Sequence, residues 1–261
     1  LIGLKINFIK LNFFKNLFSG KEKREESLIK DFSEIGIDMH SHFIPGIDDG
    51  AATIQDSIDL IRKMVEFGYK KIYTTPHIMS DYYKNTPEII LSGLEKVREA
   101  IKQNGIPVEL YAAAEYYCDY EFSDKIGKEK LLTFGDNYIL FEVSYLNAPE
   151  NISDVIFMLQ SNGYRPVLAH PERYPYWFND YKIYSELKNK GALLQLNINS
   201  LTGYYSPATK KIGEKLIADN LIDFIGSDCH HAGHINLMHQ AIKNPYLKTL
   251  LESGNLKNKF L

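Results

Sequence analysis

Histidine, aspartate and glutamate occur in this chain in short clusters whose spacing suits metal binding or proton transfer. His40 and His42 stand two apart and are followed by Asp48 and Asp49 in the run PGIDDG. His77, Glu115, Glu142 and His170 come later, each at the end of an apolar run, and Asp228 and His230 repeat the two-residue spacing. A lone strand-end histidine is more often a hydrogen-bonded structural residue than a ligand, and a lone Asp-Asp-Gly is usually a turn. Together they resist that reading, because burying several carboxylates and imidazoles around one cavity without a cation leaves unpaired charges costing several kcal/mol each. Nitrogen and oxygen donors without a thiolate set suit zinc, manganese or iron, and donor type alone does not choose among them.

The elements that would position these residues are legible from periodicity. From Glu34 onward, β-rich runs alternate with segments of helical period, the pattern of a parallel sheet or barrel of repeated strand-helix units. Seven runs stand out: 35–43, 71–77, 108–116, 138–143, 166–171, 193–200 and 223–230. In a parallel barrel all strand C-termini lie at one mouth, so donors scattered along the sequence would converge there. Residues two apart on a strand share a side, which places His40 with His42 and Asp228 with His230. Thr53, with Asp56 three places on, predicts a helix N-terminus carrying the stripe Ile54, Ile58, Ile61 and Val65 and ending at Gly68. Thr86-Pro87 and Ser206-Pro207 read as caps followed by proline at the first helical position. Residues 151–163 carry Ile152, Val155, Ile156 and Leu159 on one side.

The 261 residues and 30.0 kDa correspond to fewer than two domains at roughly 150 residues each, and barrels of this type commonly run about 250 residues as one unit. A formal charge of −3 lacks the strongly basic footprint of a general nucleic-acid binder. Cys118 and Cys229 form no Cys-x-x-Cys pair and no disulfide framework, which points to a reducing, cytoplasmic setting. In residues 1–20, Lys5, Asn7, Lys10, Asn12, Lys15 and Asn16 interrupt every apolar run well short of the ~18 residues of a spanning helix. No secretory signal is recognisable there, and the scattered lysines pattern an amphipathic surface helix only weakly. Residues 21–31 read as a solvated linker. The expected organisation is therefore an extension over 1–33 and one domain over 34–261.

The segments DMHSHFIPGIDDGA, TTPH, the glutamate of AAAEYY, ILFEV, LAHPERY and GSDCH, in that order, resemble the polymerase and histidinol phosphatase (PHP) superfamily. More narrowly they are similar to the CpsB/YwqE type of bacterial, manganese-dependent protein tyrosine phosphatase that accompanies capsule and exopolysaccharide synthesis. The resemblance covers about residues 35–245. It implies an α/β fold, a distorted seven-stranded TIM-like barrel, with two or three divalent metals, manganese foremost and iron or zinc as alternatives. His40, His42, Glu115 and Asp228 would surround one metal. Glu115 would bridge to a second with Glu142 and His170, and Asp49, His77 and His230 would hold a third. The choice of Asp49 over Asp48 rests on motif alignment alone.

Arg173 matches the placement of the arginine that grips substrate phosphate in the family, where a planar fork binds two phosphate oxygens. A second basic residue found in some relatives after the last Asp-x-His is missing, and His234 is the candidate to replace it. His231 and His239, like His234, fit no strand end and read as surface or helix residues. The implied partner is a phosphotyrosine protein, a tyrosine kinase of polysaccharide synthesis, at the inner face of the membrane. Hydrolysis of histidinol phosphate or another small phosphomonoester is the alternative reaction, and a non-catalytic, metal-stabilised binding module is the alternative of another kind. A cysteine-based phosphatase needs arginine six places after its thiolate, where Asp124 and Ile235 stand instead. The pairs Tyr82-Tyr83, Tyr116-Tyr117 and Tyr204-Tyr205, with Tyr174, fall near the expected mouth, as ring-stacking surfaces or as ordinary rim packing.

Overall fold

The computed structural model describes residues 28–261, so the expectations for residues 1–20, and for 21–27 of the linker over 21–31, lie outside the described residues. In chain order the elements are β1 (Ile37–Asp38), α1 (Ile54–Glu66), β2 (Lys71–Thr74), β3 (His77–Ile78), α2 (Pro87–Gln103), β4 (Glu109–Ala112), β5 (Glu115–Tyr117) and α3 (Tyr120–Lys125). They continue with β6 (Tyr138–Glu142), α4 (Ile152–Ser161), β7 (Arg165–Ala169), α5 (Lys182–Asn189), β8 (Leu193–Asn197), α6 (Pro207–Ala218), β9 (Phe224–Gly226), α7 (Ala232–Ala241) and α8 (Pro245–Glu252). No described helix is long and apolar enough to cross a membrane.

The caps form as their chemistry dictates. Thr53 and Asp56 make a reciprocal capping box at α1, and the Thr86 and Ser206 hydroxyls accept backbone N–H groups at the starts of α2 and α6, each with proline in the first turn. The buried face of α1 is rotated from the expected stripe: Ser57, Leu60 and Met64 join Ile58 and Ile61 inside, while Ile54 is 42% exposed. Ile152, Val155, Ile156 and Leu159 of α4 are all buried.

Against the seven expected runs, the described residues hold nine strands, in two parallel sheets ordered β1-β2-β4 and β3-β5-β6-β7-β8-β9. Two expected runs are each broken in two. The run 71–77 breaks at Thr75-Pro76, where proline offers no N–H to a ladder, and 108–116 breaks at Ala113-Ala114. The expected first strand pairs regularly only at Ile37 and Asp38. The strand ladder does not close into a barrel. Single contacts join the first run to the last: Asp228 N donates to His40 O at 2.8 Å, and His42 N to Cys229 O at 3.0 Å.

All ladders are parallel, so the strand C-termini share one end. Alternation then divides the side chains. Ile139, Phe141, Leu168, Leu194, Leu196 and Ile225 pack in the large core under the helices. Leu140, Val167, Ala169 and Phe224 form a second apolar cluster on the other face, with Met39, Tyr73 and Phe134. Cys229 is fully buried in the larger core, as a small apolar residue would be.

Candidate active site

Beyond that second cluster, toward the strand ends, the same face turns polar. His40, His42 and Glu115 are fully buried, and Glu142, His170 and Asp228 nearly so. Three overlapping groups of donors lie within 4.8 Å of one another: His40, His42, Glu115 and Asp228; His42, Asp49, His77 and His230; and His77, Glu115 and Glu142. His170 lies outside these groups but holds Nε2 at 3.0 Å from Glu115 Oε1 and 3.8 Å from Glu142 Oε2. All nine side chains singled out from the sequence are thus brought to one place. His170 and Asp228 occupy left-handed backbone (φ 34° and 47°), a conformation that strains residues other than glycine and persists where the surrounding structure enforces it.

The two aspartates of PGIDDG separate. Asp48 accepts from His42 Nδ1 at 2.8 Å and from the backbone His77 N at 3.1 Å, so it orients the His42 imidazole from behind and ties down the main chain at His77. Asp49 lies with Oδ1 3.5 Å from His77 Nε2 and 3.4 Å from His230 Nε2. Burial works against charge at Glu115, Asp228 and His77, but mutual pairing overrides it. Glu115 stays well below the usual carboxylate range beside His40 and His77, and Asp228 does so beside His40 and His230. His77 is pushed up to about 9 by Glu115 and Glu142 against the opposing effect of burial.

Arg173 sits in the helical turn Pro171–Arg173 after β7. Its Nη1 donates to Asp228 Oδ2 at 3.0 Å, and its guanidinium lies 4.0 Å from the Tyr205 ring centroid and 5.0 Å from that of Tyr145. With Asp49, His77, Glu142, His230 and Tyr204 these residues line a cavity of about 410 Å³. His234 also lines it, but burial lowers its pKa to about 4 and its Nδ1 lies 3.0 Å from Asp228 O. His234 is therefore a neutral group at this wall and not a replacement cation. His231 caps α7, accepting from Gly233 N, and His239 packs against Phe67. Tyr83 stacks on the His77 ring, whereas Tyr116 and Tyr174 are buried and only Tyr204 and Tyr205 of the named pairs line the cavity.

Three residues of this site are not among those singled out from the sequence. Tyr145, an isolated tyrosine after β6, faces both Arg173 and His170. Gln195 and Asn197, fully buried on β8, reach His40 and Asp228. Two neutral polar residues at alternate positions of the run LLQLN were the available clue.

A parallel α/β scaffold that gathers imidazoles and carboxylates at its strand ends beside a lone arginine defines a hydrolase-like, cation-competent site. The family model for capsular polysaccharide synthesis proteins, CpsB/CapC, matches residues 36–248, and the chain belongs to that family. It is 33% identical over 196 residues to the tyrosine-protein phosphatase YwqE of Bacillus subtilis (75% of this chain, 77% of that protein). To the tyrosine-protein phosphatase CpsB of Streptococcus agalactiae it is 25% identical over 201 residues (75% and 83%). A crystal structure from work on YwqE of Bacillus subtilis and CpsB of Streptococcus pneumoniae, described as metal-dependent tyrosine phosphatases, superposes with a TM-score of 0.75 at 30% identity, over 86% of this chain and 90% of that one. Histidinol phosphate phosphatase from Lactococcus lactis shares the fold, with a TM-score of 0.53 at 14% identity over 79% and 92% of the two chains.

Proposed function

We propose that this chain is a metal-dependent protein tyrosine phosphatase that removes phosphate from phosphotyrosine by hydrolysis. The observation that carries the reading is the set of three overlapping donor groups sharing one cavity with Arg173. The donors fit cations: His77 Nδ1 is buried without a hydrogen-bond partner, 3.3 Å from Glu115 and 3.2 Å from Glu142, and no thiolate is among them. His40, His42, Glu115 and Asp228 would hold one ion, Glu115, Glu142 and His170 a second, and Asp49, His77 and His230 a third. Manganese is the expected metal, with iron and zinc as alternatives. Bound there, such ions supply Lewis acidity and a water acidic enough to be a nucleophile near neutral pH.

The chain's own residues complete the chemistry. Arg173 keeps one N–H on Asp228 and has further donors for phosphate oxygens. Tyr145 and Tyr204 offer aromatic walls to a phenol ring. His231 and His234 are both shifted by burial toward the neutral form, so neither is a ready proton donor at this wall. A phenol, with a pKa near 10, departs with less protonation than an aliphatic alcohol, and the site favours aryl esters on that ground.

The family's link to capsular polysaccharide synthesis supports a tyrosine kinase of that process as the partner, in the cytoplasm at the inner membrane face. The two parallel sheets, with the two contacts that join the last run to the first, support an open, distorted barrel-like arrangement as one domain over 34–261. Assay after chelation and manganese return tests the function, with phosphotyrosine and phosphoserine peptides and histidinol phosphate compared by kcat/KM. Preference for phosphotyrosine is expected. A metal-loaded protein inactive on every aryl phosphate ends this reading, and preference for histidinol phosphate transfers it to the small-ester alternative.

A further inference from the structure

Strand β8 is flanked by β7 and β9, yet unlike their ends its end supplies no residue to the nine. Its inward positions carry two amides in line with the site: Ala169 pairs with Gln195 and Gln195 with Phe224, while Asn197 pairs with Gly226. His40 Nδ1 lies 2.9 Å from Gln195 Oε1, Gln195 Nε2 donates to Asn197 Oδ1 at 2.9 Å, and Asn197 Nδ2 donates to Asp228 Oδ2 at 2.6 Å. All four residues are buried. We infer that Gln195 and Asn197 form a one-way hydrogen-bond relay between Asp228 and His40 that fixes which histidine nitrogen and which carboxylate oxygen face the cation site.

The direction follows from donor and acceptor inventory. An ionised Asp228 only accepts, so Asn197 must turn its NH₂ toward it. The Asn197 oxygen then faces Gln195, which must present its own NH₂. That leaves the Gln195 oxygen toward His40, whose Nδ1 must carry a proton. In the neutral ring that a cation requires, His40 Nε2 then keeps its lone pair, and it is this atom that lies 3.1 Å from Glu115 Oε2 and 3.2 Å from Asp228 Oδ1. Reversing either amide would set oxygen against oxygen among buried groups. At the other end, Asn197 and Arg173 both occupy Asp228 Oδ2 and leave Oδ1 toward His40, His42 and His230. Amides suit the task because they orient their partners without adding charge to a site where Asp49, Glu115, Glu142 and Asp228 already supply carboxylates. Gln195 and Asn197 are positioning residues, acting through the groups they hold.

The inference rests on the metal-binding reading above, and the test separates the two. The full chain is loaded with Zn²⁺, which is diamagnetic, and its histidine rings are read by long-range ¹H–¹⁵N correlation, with His40 assigned from its missing signals in His40→Asn. A proton on His40 Nδ1 and metal on Nε2 is the expected result. A zinc-binding protein with His40 protonated on Nε2 overturns the relay and leaves the metal reading standing, whereas a chain that binds no Zn²⁺ sinks both. Gln195→Glu supplies the second arm, because it keeps an acceptor for His40 but has no donor for Asn197. Its Zn²⁺ dissociation constant should rise about tenfold or more, the usual scale for losing an outer hydrogen-bond partner. An affinity within about threefold of the parent, in a variant that melts cooperatively when metal-free, reduces Gln195 to a local partner of His40 and refutes the coupling. If that variant does not fold, the tautomer of the unmodified protein decides alone.

Discussion

Asp48 and Asp49 are adjacent in sequence and opposite in role: Asp48 accepts from His42 Nδ1 at 2.8 Å inside the protein, while Asp49 faces His230 Nε2 at 3.4 Å with its side chain 54% exposed. Replacing Asp48 with alanine strips the acceptor from buried His42 and from His77 N. Loss of about 1–3 kcal/mol of stability follows from leaving such donors unsatisfied. Asp49→Ala should change metal-free stability by only about 0.5 kcal/mol, as exposed positions do, while weakening metal binding and turnover. Urea unfolding of the metal-free proteins, with manganese titration beside it, distinguishes the two. Equal destabilisation by both changes, or full metal affinity in Asp49→Ala, contradicts the division.

Arg173 is held on one side by Asp228 and lies over the Tyr205 ring. Arg173→Ala should lower kcat/KM for a phosphotyrosine peptide by about 10- to 150-fold, the equivalent of one charged hydrogen-bonding contact of roughly 1.5–3 kcal/mol. Metal content should change little, because Asn197 still donates to Asp228. Arg173→Lys keeps the charge but not the planar fork and should recover only part of the loss. Metal analysis alongside kinetics checks this, and loss of bound metal with unchanged kinetics would reverse the assignment.

The gathering of the nine side chains was legible because their types have no apolar explanation at strand ends, and because parallel strands put those ends together. Less visible was whatever depends on neutral polarity or backbone path. Gln195 and Asn197 are ordinary residues until a structure shows His40 and Asp228 beside them. Tyr145 lies alone in a loop, whereas the conspicuous pair Tyr116-Tyr117 places Tyr116 in the core. The break at Pro76 follows from chemistry visible in the sequence, but the one at Ala113-Ala114 does not, since alanine neither forbids nor demands a strand. Left-handed backbone at His170 and Asp228 left no trace either, because neither residue is glycine.

The pH dependence of the metal-free protein should run opposite to that of the loaded one. His77 rises from an ordinary 6.5 to about 9 in the fold, so its contribution is present in full below about pH 6.5 and is lost as pH climbs through 9. At about 1.4 kcal/mol per unit this amounts to about 3 kcal/mol. His40 and His42 are raised too and act in the same direction, whereas Asp38, lifted by burial to about 6, has completed its own change below that window. Cations compete with these protons, so manganese affinity should instead strengthen as pH rises. Thermal melts between pH 6.5 and 9.5, with chelator and with manganese, should diverge. A metal-free melting temperature that stays level or climbs over that range speaks against protonated imidazoles in the empty cluster.

Gly226 on β9 offers the sharpest steric test of how closely the site is packed. A methyl group built there lies 2.7 Å from His40 Cβ and 2.9 Å from Gln195 Nε2. Neither neighbour can swing aside freely: His40 O accepts from Asp228 N, and the Gln195 amide is bound to Asn197. Gly226→Ala should therefore cost about 1–3 kcal/mol, the usual range for overfilling a packed interior. It should also displace His40 from Glu115 and weaken metal binding, an effect that exposed substitutions elsewhere on the strand ends would not share. Chemical unfolding and manganese titration of the purified variant read both consequences. Parental stability with parental affinity would mean that β9 shifts outward without disturbing His40, and the tight approach of the two strands would then play no part in holding the site.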